Sequence, residues 1–318
     1  MGALHLIDEH APAPPAVSPC VMVIGNFDGV HLGHAAVLRE AVAIAGRKSL
    51  GTSVLTFDPH PAAVVGLGAP ALLTTLERRA QLMGALGVDR VWVRRFDAAF
   101  AAWSPERFVH ELVSGVLQAR VVVVGQNFRF GAKRAGDLTA LRAMGEQLGF
   151  EVYVHAIASD ERGPYSSTRV REAIEAGDLD EAARVLGRAH ELSGPVVQGD
   201  QRGRTLGFPT ANVHPVAEML PPDGVYATRV EQVGDDGVAR PVGSGGVTNI
   251  GVRPTVTVRG GHRTVETFVF DFAGDLYASR LRLHLVARLR GEKRFAGLDE
   301  LKAQIAADTS AARARLAL

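Results

Sequence analysis

The 318-residue sequence contains one cysteine, Cys20, so no disulfide bond can form within the chain. Positive and negative side chains almost cancel, at a formal net charge of +1, which argues against a nucleic-acid-binding protein that works through bulk charge. No apolar run reaches the length of a membrane-spanning helix. The opening stretch MGALHLIDEHAPAPP has neither a basic start nor an apolar core, so we expect no signal peptide. These absences predict a cytoplasmic protein with no nucleic-acid or membrane partner.

The first half of the sequence alternates apolar, β-branched runs with segments of helical spacing, which predicts a mostly parallel sheet covered by helices. The predicted strands are Val21–Ile24, Ser53–Phe57, Arg90–Arg94, Arg120–Val124 and Glu151–His155. The predicted helices are Ala35–Ala45, Leu76–Leu86, Pro105–Leu117 and Leu138–Leu148. Ligands of such sheets bind at the carboxyl ends of the strands. Three polar motifs follow strands there: GNFDGVHLGH after the first, DPHP after the second and GQNFRFG after the fourth.

From about Gly194 the sequence becomes rich in Gly, Pro and Val, with short alternating segments that predict antiparallel strands, as in a barrel. The last segment, GLDELKAQIAADTSAARARL, predicts a helix. Because 318 residues favour two domains over one, we place a boundary near residue 187, giving domains 1–186 and 187–318. The low-complexity piece APAPPA near the start is interpreted as a flexible lead-in.

His31 and His34 lie one helical turn apart at the start of a predicted helix, and three interpretations compete. A zinc site needs further ligands, and the sequence has neither a cysteine cluster nor a His-Glu-x-x-His pattern. Core or capping histidines are the common case for an isolated pair. Phosphate binding is the third interpretation, because a helix N-terminus attracts anions.

Two further motifs favour phosphate binding. SSTRVR, residues 166–171, begins another predicted helix and supplies hydroxyls and arginines, although a capping motif with surface arginines would have the same pattern. GQNFRFG adds Asn127, Arg129 and the rings of Phe128 and Phe130. Such rings can stack on a flat heterocycle, but phenylalanines after a strand are more often core.

The second half contains GRTLGFPTAN, residues 203–212, which is otherwise an ordinary pattern for a hairpin loop. Phosphoryl transfer to an alcohol needs a metal-bound triphosphate, nearby backbone amides and a group that accepts the hydroxyl proton. Thr210 and Asn212 offer the hard oxygen ligands that Mg²⁺ prefers, and Gly203 and Gly207 free the backbone. Glu266 lies among apolar neighbours of a predicted strand, where a carboxylate is costly unless it is used, paired or turned to solvent.

Taken together, the sequence resembles the bifunctional bacterial riboflavin kinase/FAD synthetase family over nearly its whole length. The tetrapeptide at residues 31–34 resembles the His-x-Gly-His signature of nucleotidyltransferases, and SSTRVR resembles their second signature. GRTLGFPTAN, LPPDGVYA, NIGVRPTV and VETFVFDF resemble riboflavin kinase signatures in family order. The resemblance implies an α/β Rossmann-like nucleotidyltransferase domain, followed by a six-stranded antiparallel β-barrel with a terminal helix.

For the first half, the resemblance implies that FMN and ATP give FAD and pyrophosphate. The residues that it assigns to the phosphates are His31, His34, Arg171, Ser167 and Thr168, with Gly25, Gly29 and Gly33 allowing close backbone approach. Asn127 would orient the FMN phosphate or ATP, with Arg129 beside it. Asp28 either binds the nucleotide or only shapes the turn, and His60 either contributes to the site or is structural.

For the second half, the resemblance implies that riboflavin and ATP give FMN and ADP. Thr210 and Asn212 would hold Mg²⁺-ATP, and Glu266 would be the general base for the riboflavin 5′-hydroxyl. Arg253 and Arg294 are weaker candidates. The sequence departs from common family residues at Phe268, Val256 and Gln126, and none of these changes removes a proposed catalytic group.

Two alternatives to a bifunctional enzyme stay open at this point. One half could be catalytic and the other only regulatory. The chain could also be a flavin-binding or storage module, although storage needs no triphosphate site and both halves have phosphate motifs. The oligomeric state cannot be predicted from the sequence.

Overall fold

A computed structural model of the protein describes residues 3–7, 18–199, 208–252 and 263–318. The chain divides into two units, Met1–Ser166 and Ser167–Leu318. The predicted boundary at residue 187 lies further along the chain, after two helices that this division assigns to the second unit. That boundary stays a prediction.

The first unit is built on a six-stranded, fully parallel sheet. In chain order, its strands are β1 (Ala3–Ile7), β2 (Cys20–Ile24), β3 (Gly51–Asp58), β4 (Arg90–Arg95), β5 (Ala119–Gly125) and β6 (Glu151–His155). Their order across the sheet is β1-β4-β3-β2-β5-β6. The five predicted strands are all present. The sequence did not predict the edge strand β1.

The sheet has a core on each face, because successive side chains of a strand point to opposite sides. Met22 and Ile24 of β2 pack in the same core as Trp92, whereas Val21 and Val23 pack in the other core with helix residues such as Leu38. Burial on both faces explains why the strands are almost continuously apolar rather than alternating.

Helices connect these strands on both faces. They are α1 (Leu32–Lys48), α2 (Pro61–Val64), α3 (Leu76–Ala85), α4 (Ala98–Ala101), α5 (Pro105–Arg107) and α6 (Leu138–Leu148). The predicted helix Pro105–Leu117 continues beyond α5 as a π-helix over Phe108–Val116, whose wider turn is seen in the bond from the Leu117 amide to the Leu112 carbonyl. A two-stranded hairpin, β7 (Ser159–Asp160) with β8 (Gly163–Pro164), ends the unit.

The second unit is a closed antiparallel barrel. Helices α7 (Ser167–Ala176) and α8 (Leu179–Leu186) precede strands β9 (His190–Val197), β10 (Thr210–Val213), β11 (Gly224–Val233), β12 (Ala239–Pro241), β13 (Gly245–Val252), β14 (Arg263–Phe270) and β15 (Arg280–Arg290). Six strands pair in the order β11-β13-β14-β10-β9-β15, and β15 pairs back to β11, so the barrel closes. Helix α9 (Leu298–Leu316) packs on the outside. The predicted fold class is therefore confirmed for both halves.

Three threonine hydroxyls form a chain across the barrel strands. Thr228 bonds to Thr248, and Thr248 bonds to Thr267, each at 2.9 Å, and all three side chains are fully buried. These hydrogen bonds give each buried hydroxyl a partner, and a hydroxyl without one would be costly inside an apolar barrel.

In the residues that the structure describes, no helix combines the length and the apolar character needed to cross a membrane.

Candidate active sites

The strand order of the first unit reverses at β2. From β2 the chain proceeds to β3 and β4 on one side, and then returns to β5 and β6 on the other side. In open α/β sheets, ligands bind at the carboxyl ends of the strands at this reversal point. GNFDGVHLGH follows β2 and GQNFRFG follows β5, so the sheet brings these two predicted motifs to adjacent strand ends.

The β2–α1 turn, residues 25–31, has an unusual backbone. Phe27, Gly29 and Val30 have φ angles of 53°, 84° and 40°. A positive φ suits glycine but is an outlier for a β-branched residue such as Val30. Strain of this kind costs on the order of 1–3 kcal/mol for each residue and persists only where the surroundings enforce it. Both Phe27 and Val30 are buried, so packing is one such constraint.

A buried polar network is the other constraint on this turn. The Asp28 carboxylate accepts hydrogen bonds from the Leu73 and Thr74 amides at 3.1 Å and lies 3.3 Å from Arg79 Nη2. Arg79 also donates to the Asn26 carbonyl at 2.9 Å. Asp28 is 3% exposed, which supports the interpretation that it shapes the turn rather than contacting a nucleotide.

Arg79 and Thr74 are residues that the sequence analysis missed. The available signal was that Arg79 lies in the apolar stripe of α3, three residues after Leu76 and four before Met83, where a charged side chain is unexpected. Arg79 is only 6% exposed.

His31 and His34 lie together at the N-terminus of α1. His31 is the N-cap residue, and its Nδ1 accepts a hydrogen bond from the His34 amide at 3.3 Å, which assigns the proton of a neutral His31 ring to Nε2. The two rings stack with centroids 3.6 Å apart. Gly33 suits this packing, because a Cβ would lie 3.1 Å from the His31 ring and 3.2 Å from Tyr165 Cβ, and these neighbours would have to move by a few tenths of an ångström.

The stacked pair does not carry two charges. Burial holds the pKa of His34 well below its ordinary value of 6.5, and the nearby charges of His31 and Arg79 lower that pKa further. His34 is therefore neutral at pH 7 and interacts with an anion as a hydrogen-bond donor. The zinc interpretation gains no support, because no group of three metal-binding side chains occurs within the described ranges.

The other predicted residues of the first unit differ in their surroundings. Asn127 and Arg129 are exposed after β5, and Arg129 pairs with Asp137 at 3.4 Å. Phe130 is a core residue, 6% exposed, whereas Phe128 is partly buried and stacks on it.

His60 lies 3.0 Å from the Asn26 amide nitrogen and caps α2 through its Nδ1. These contacts support a structural role for His60.

The SSTRVR motif begins helix α7 at Ser167. Arg169 pairs with Glu181 of α8 at 2.6 Å, and Arg171 is half-buried. Because the division between the two units falls between Ser166 and Ser167, the approach of Ser167, Thr168 and Arg171 to the histidines stays a prediction.

The barrel brings the predicted kinase residues together. Asn212 of β10 lies directly opposite Glu266 of β14, and Thr210 lies opposite Phe268 in the same pairing. Directly opposite residues point to the same face of a sheet with Cβ atoms about 4.5–5.5 Å apart, and residues two apart on one strand share that face. Thr210, Asn212 and Glu266 therefore share one face of the barrel wall, and each is half-buried.

A cavity of about 400 Å³ lies beside Thr210 in this part of the barrel. Thr210, Thr267, Phe272, Leu276 and Tyr277 are among the residues that line it. Phe272, Leu276 and Tyr277 belong to the loop between β14 and β15 and form the more apolar wall, and the threonine hydroxyls make another part of the lining polar. It is large enough for a heterocyclic ring system.

Several predicted residues lie outside the described residues: Gly203, Gly207, Arg253 and Val256. Arg294 is exposed in the segment between β15 and α9.

Comparison with known proteins identifies the family. A family model described as FAD synthetase matches residues 13–169, and one described as riboflavin kinase matches residues 186–316. The bifunctional riboflavin kinase/FMN adenylyltransferase of Escherichia coli (strain K12) is 41% identical over 295 residues, 92% of each chain. The chain belongs to the bifunctional riboflavin kinase/FMN adenylyltransferase family. The enzyme of the same name from Bacillus subtilis (strain 168) is 34% identical over 313 residues, covering 97% of this chain and 96% of that protein.

A solved structure supports the shared fold. A crystal structure described as a macrolide-efflux protein from Streptococcus pneumoniae has a TM-score of 0.81 and 28% sequence identity, and the likeness covers 94% of this chain and 95% of that one.

The two family models and the curated relatives confirm the resemblance inferred from the sequence. They also confirm the prediction of a bifunctional enzyme, rather than an enzyme with one regulatory half or a flavin-storage module. The protein phosphorylates riboflavin to FMN and adenylylates FMN to FAD, with ATP as co-substrate in both reactions.

Proposed function

We propose that residues 1–186 carry the FMN adenylyltransferase and residues 187–318 the riboflavin kinase. The matches of the two family models, to residues 13–169 and 186–316, support this division. Each half also has its own candidate site, at the reversal point of the parallel sheet and on the barrel wall.

In riboflavin phosphorylation, Glu266 accepts the proton of the riboflavin 5′-hydroxyl. The hydroxyl oxygen attacks the γ-phosphorus of ATP, and ADP leaves. The observation that carries this assignment is the pairing of Glu266 with Asn212, which places a proton acceptor beside a candidate ligand of the triphosphate. The cavity next to Thr210 is the proposed site for the ATP base.

The donor set on this wall fits a magnesium ion. Thr210 and Asn212 offer hydroxyl and amide oxygens, which are hard donors of the kind that Mg²⁺ prefers, and the Glu266 carboxylate opposite Asn212 is kept for the proton. Among the described residues, no group of three carboxylate, histidine or cysteine side chains could hold a metal ion by itself. That suits an ion that enters with ATP and keeps phosphate and water ligands. Bound Mg²⁺ would neutralise charge on the phosphates.

In adenylyl transfer, the FMN phosphate attacks the α-phosphorus of ATP and pyrophosphate leaves. His31 and His34 hydrogen-bond the phosphates at the N-terminus of α1, where the helix dipole also favours an anion. Because His34 is neutral, Arg171 supplies positive charge to this site and acts with Ser167 and Thr168. Gly25, Asn127 and Arg129 complete the proposed nucleotide site. This reaction needs positioning and charge stabilisation rather than a protein nucleophile.

Flavin chromatography over time tests both assignments with full-length variants. Glu266→Gln removes the base, so it should stop FMN formation from riboflavin while FAD still forms from supplied FMN. His31→Ala with His34→Ala should slow FAD formation by about 10²–10³-fold for each donor that stabilises the transition state, and leave riboflavin phosphorylation intact. Within each variant, the second activity is the control for folding. Unchanged kinase activity in Glu266→Gln, or unchanged FAD synthesis in the histidine variant, would refute the corresponding assignment.

We also propose that the enzyme acts in the cytoplasm. The single cysteine and the use of ATP as co-substrate support this location. Detection of the native protein in a membrane or secreted fraction would refute it.

A further inference from the structure

Arg79 reaches from helix α3 into the underside of the β2–α1 turn. Its guanidinium donates to the Asn26 carbonyl at 2.9 Å and lies 3.3 Å from both Asp28 Oδ1 and the Thr74 carbonyl. The planar fork of arginine can serve several acceptors at once, whereas a lysine ammonium is a single point charge. Arg79 thus joins three parts of the fold: the β2–α1 turn, the segment before α3, and α3 itself.

Thr74 holds the same turn from a second direction. Its hydroxyl accepts a hydrogen bond from the Gly29 amide at 3.0 Å and lies 3.3 Å from Asp28 Oδ1. Gly29 is one of the three residues of the turn with positive φ. A strained backbone relaxes unless its surroundings fix it, and the bonds to Asp28, Thr74 and Arg79 provide that fixation.

We propose that Arg79 and Thr74 are positioning residues for adenylyl transfer. They lock the β2–α1 turn in its strained shape, and this shape sets where His31 and His34 meet the phosphates of ATP. The inference rests on the proposed role of these histidines, and adds residues that touch neither substrate.

Arg79 also supplies a buried positive charge beneath the turn. Its charge is one of the causes that lower the pKa of His34, after burial and after His31. Arg79 therefore has a spectroscopic signature in His34 that a purely structural residue would lack. Replacing it with a neutral side chain should raise the pKa of His34, whereas a lysine should leave that pKa low.

The test uses the full-length enzyme with Arg79→Met, Arg79→Lys and Thr74→Val. Arg78→Met, on the same helix, is the matched control. The kcat and KM for FAD formation from FMN and ATP are measured, riboflavin phosphorylation serves as an internal control, and NMR gives the pKa of His34. The signal of both tryptophans, Trp92 and Trp103, checks that the first unit is folded, since both lie in it.

We expect Arg79→Met to lower kcat for FAD formation by about 10²-fold, the loss typical of a misplaced catalytic geometry, with kinase activity unchanged. Arg79→Lys and Thr74→Val should lower kcat less, and Arg78→Met should not. If folded Arg79→Met and Thr74→Val both form FAD within twofold of the wild-type rate, the inference is wrong. Should Arg79→Met fail to fold, Arg79→Lys and Thr74→Val decide by the same criterion.

The outcome of the double histidine variant separates this inference from the proposed function. Retained FAD synthesis in His31→Ala with His34→Ala would overturn the site itself. Loss of synthesis there, together with normal rates in the Arg79 and Thr74 variants, would overturn the positioning role alone.

Discussion

Lowering the pH should destabilise the first unit through a single ring, His34. Its pKa in the folded protein lies well below 6.5, whereas in the unfolded chain it returns to about 6.5. Below that pH the unfolded state binds a proton that the folded state does not bind, so the free energy of unfolding falls as the pH falls. This stability is fully present above about pH 7 and is lost progressively from the unfolded pKa downwards until the folded pKa is reached.

The magnitude follows from the binding of one proton. The slope approaches about 1.4 kcal/mol per pH unit once the unfolded ring is fully protonated. Between pH 7 and about pH 5.5 the loss attributable to His34 is therefore roughly 1 kcal/mol. That is a measurable fraction of the stability of an ordinary domain, which is about 5–15 kcal/mol.

The assay is urea unfolding followed by tryptophan fluorescence at several pH values. Because Trp92 and Trp103 both belong to the first unit, the signal does not mix in the unfolding of the barrel. The wild type is compared with His34→Asn, which cannot titrate, and with His110→Asn, which removes an exposed histidine of the same unit. His31 stacks on His34 and its charge is coupled to that ring, so the difference between the wild type and His34→Asn reports the stacked pair, whereas the more distant histidines cancel.

We expect the wild type and His110→Asn to lose stability in parallel as the pH falls, and His34→Asn to lose roughly 1 kcal/mol less. Parallel curves for the wild type and His34→Asn would mean that His34 takes up its proton in the folded state at its ordinary pKa. In that case the neutral, donor-only role of His34 would have to be abandoned.

Three further predictions concern other parts of the chain. Asp308→Ala removes the buried carboxylate that Arg290 contacts at 2.7 Å, so it should destabilise the barrel by about 2 kcal/mol in thermal unfolding followed by circular dichroism, whereas Lys302→Ala, at an exposed charge on the same helix, should leave the transition in place. Gly131→Ala should destabilise the first unit by about 3 kcal/mol by tryptophan fluorescence, because φ is 71° and a Cβ would lie 2.6 Å from the Pro105 nitrogen; an unchanged midpoint would contradict this reasoning. Removing divalent metal with a chelator should abolish riboflavin phosphorylation, and added Mg²⁺ should restore it, whereas persistent activity in the chelator would exclude a metal-bound triphosphate.

Periodicity was enough to predict most of the architecture from the sequence. Buried parallel strands and amphipathic helices leave strong local patterns in a sequence. Each of the five predicted strands therefore lies inside an observed strand, and their ends agree to within two residues. The edge strand β1 (Ala3–Ile7) was missed because five residues before a proline-rich stretch give little periodic signal. The π-helix was missed because its register change depends on packing rather than on spacing.

The residues of the candidate sites also differ in how far the sequence predicts them. The histidines, the glycines and Glu266 belong to local motifs, and a local motif can be found in one sequence. The pairing of Asn212 with Glu266 depends on strand register, and the hydrogen bond between Arg79 and Asp28 joins residues far apart in the chain. Long-range contacts of this kind have no local signature, apart from the charged residue on an apolar helix face.

The buried threonine chain has a consequence for whatever occupies the barrel cavity. Either oxygen of each pair can be the donor, so the bonds can run in one direction, from Thr228 through Thr248 to Thr267, or in the other. Thr267 lines the cavity. If the bonds run toward Thr267, its proton is available to the cavity, and if they run away from it, only its lone pairs are. The same wall can therefore present a donor to one ligand atom and an acceptor to another by reversing three protons, with no heavy atom moving.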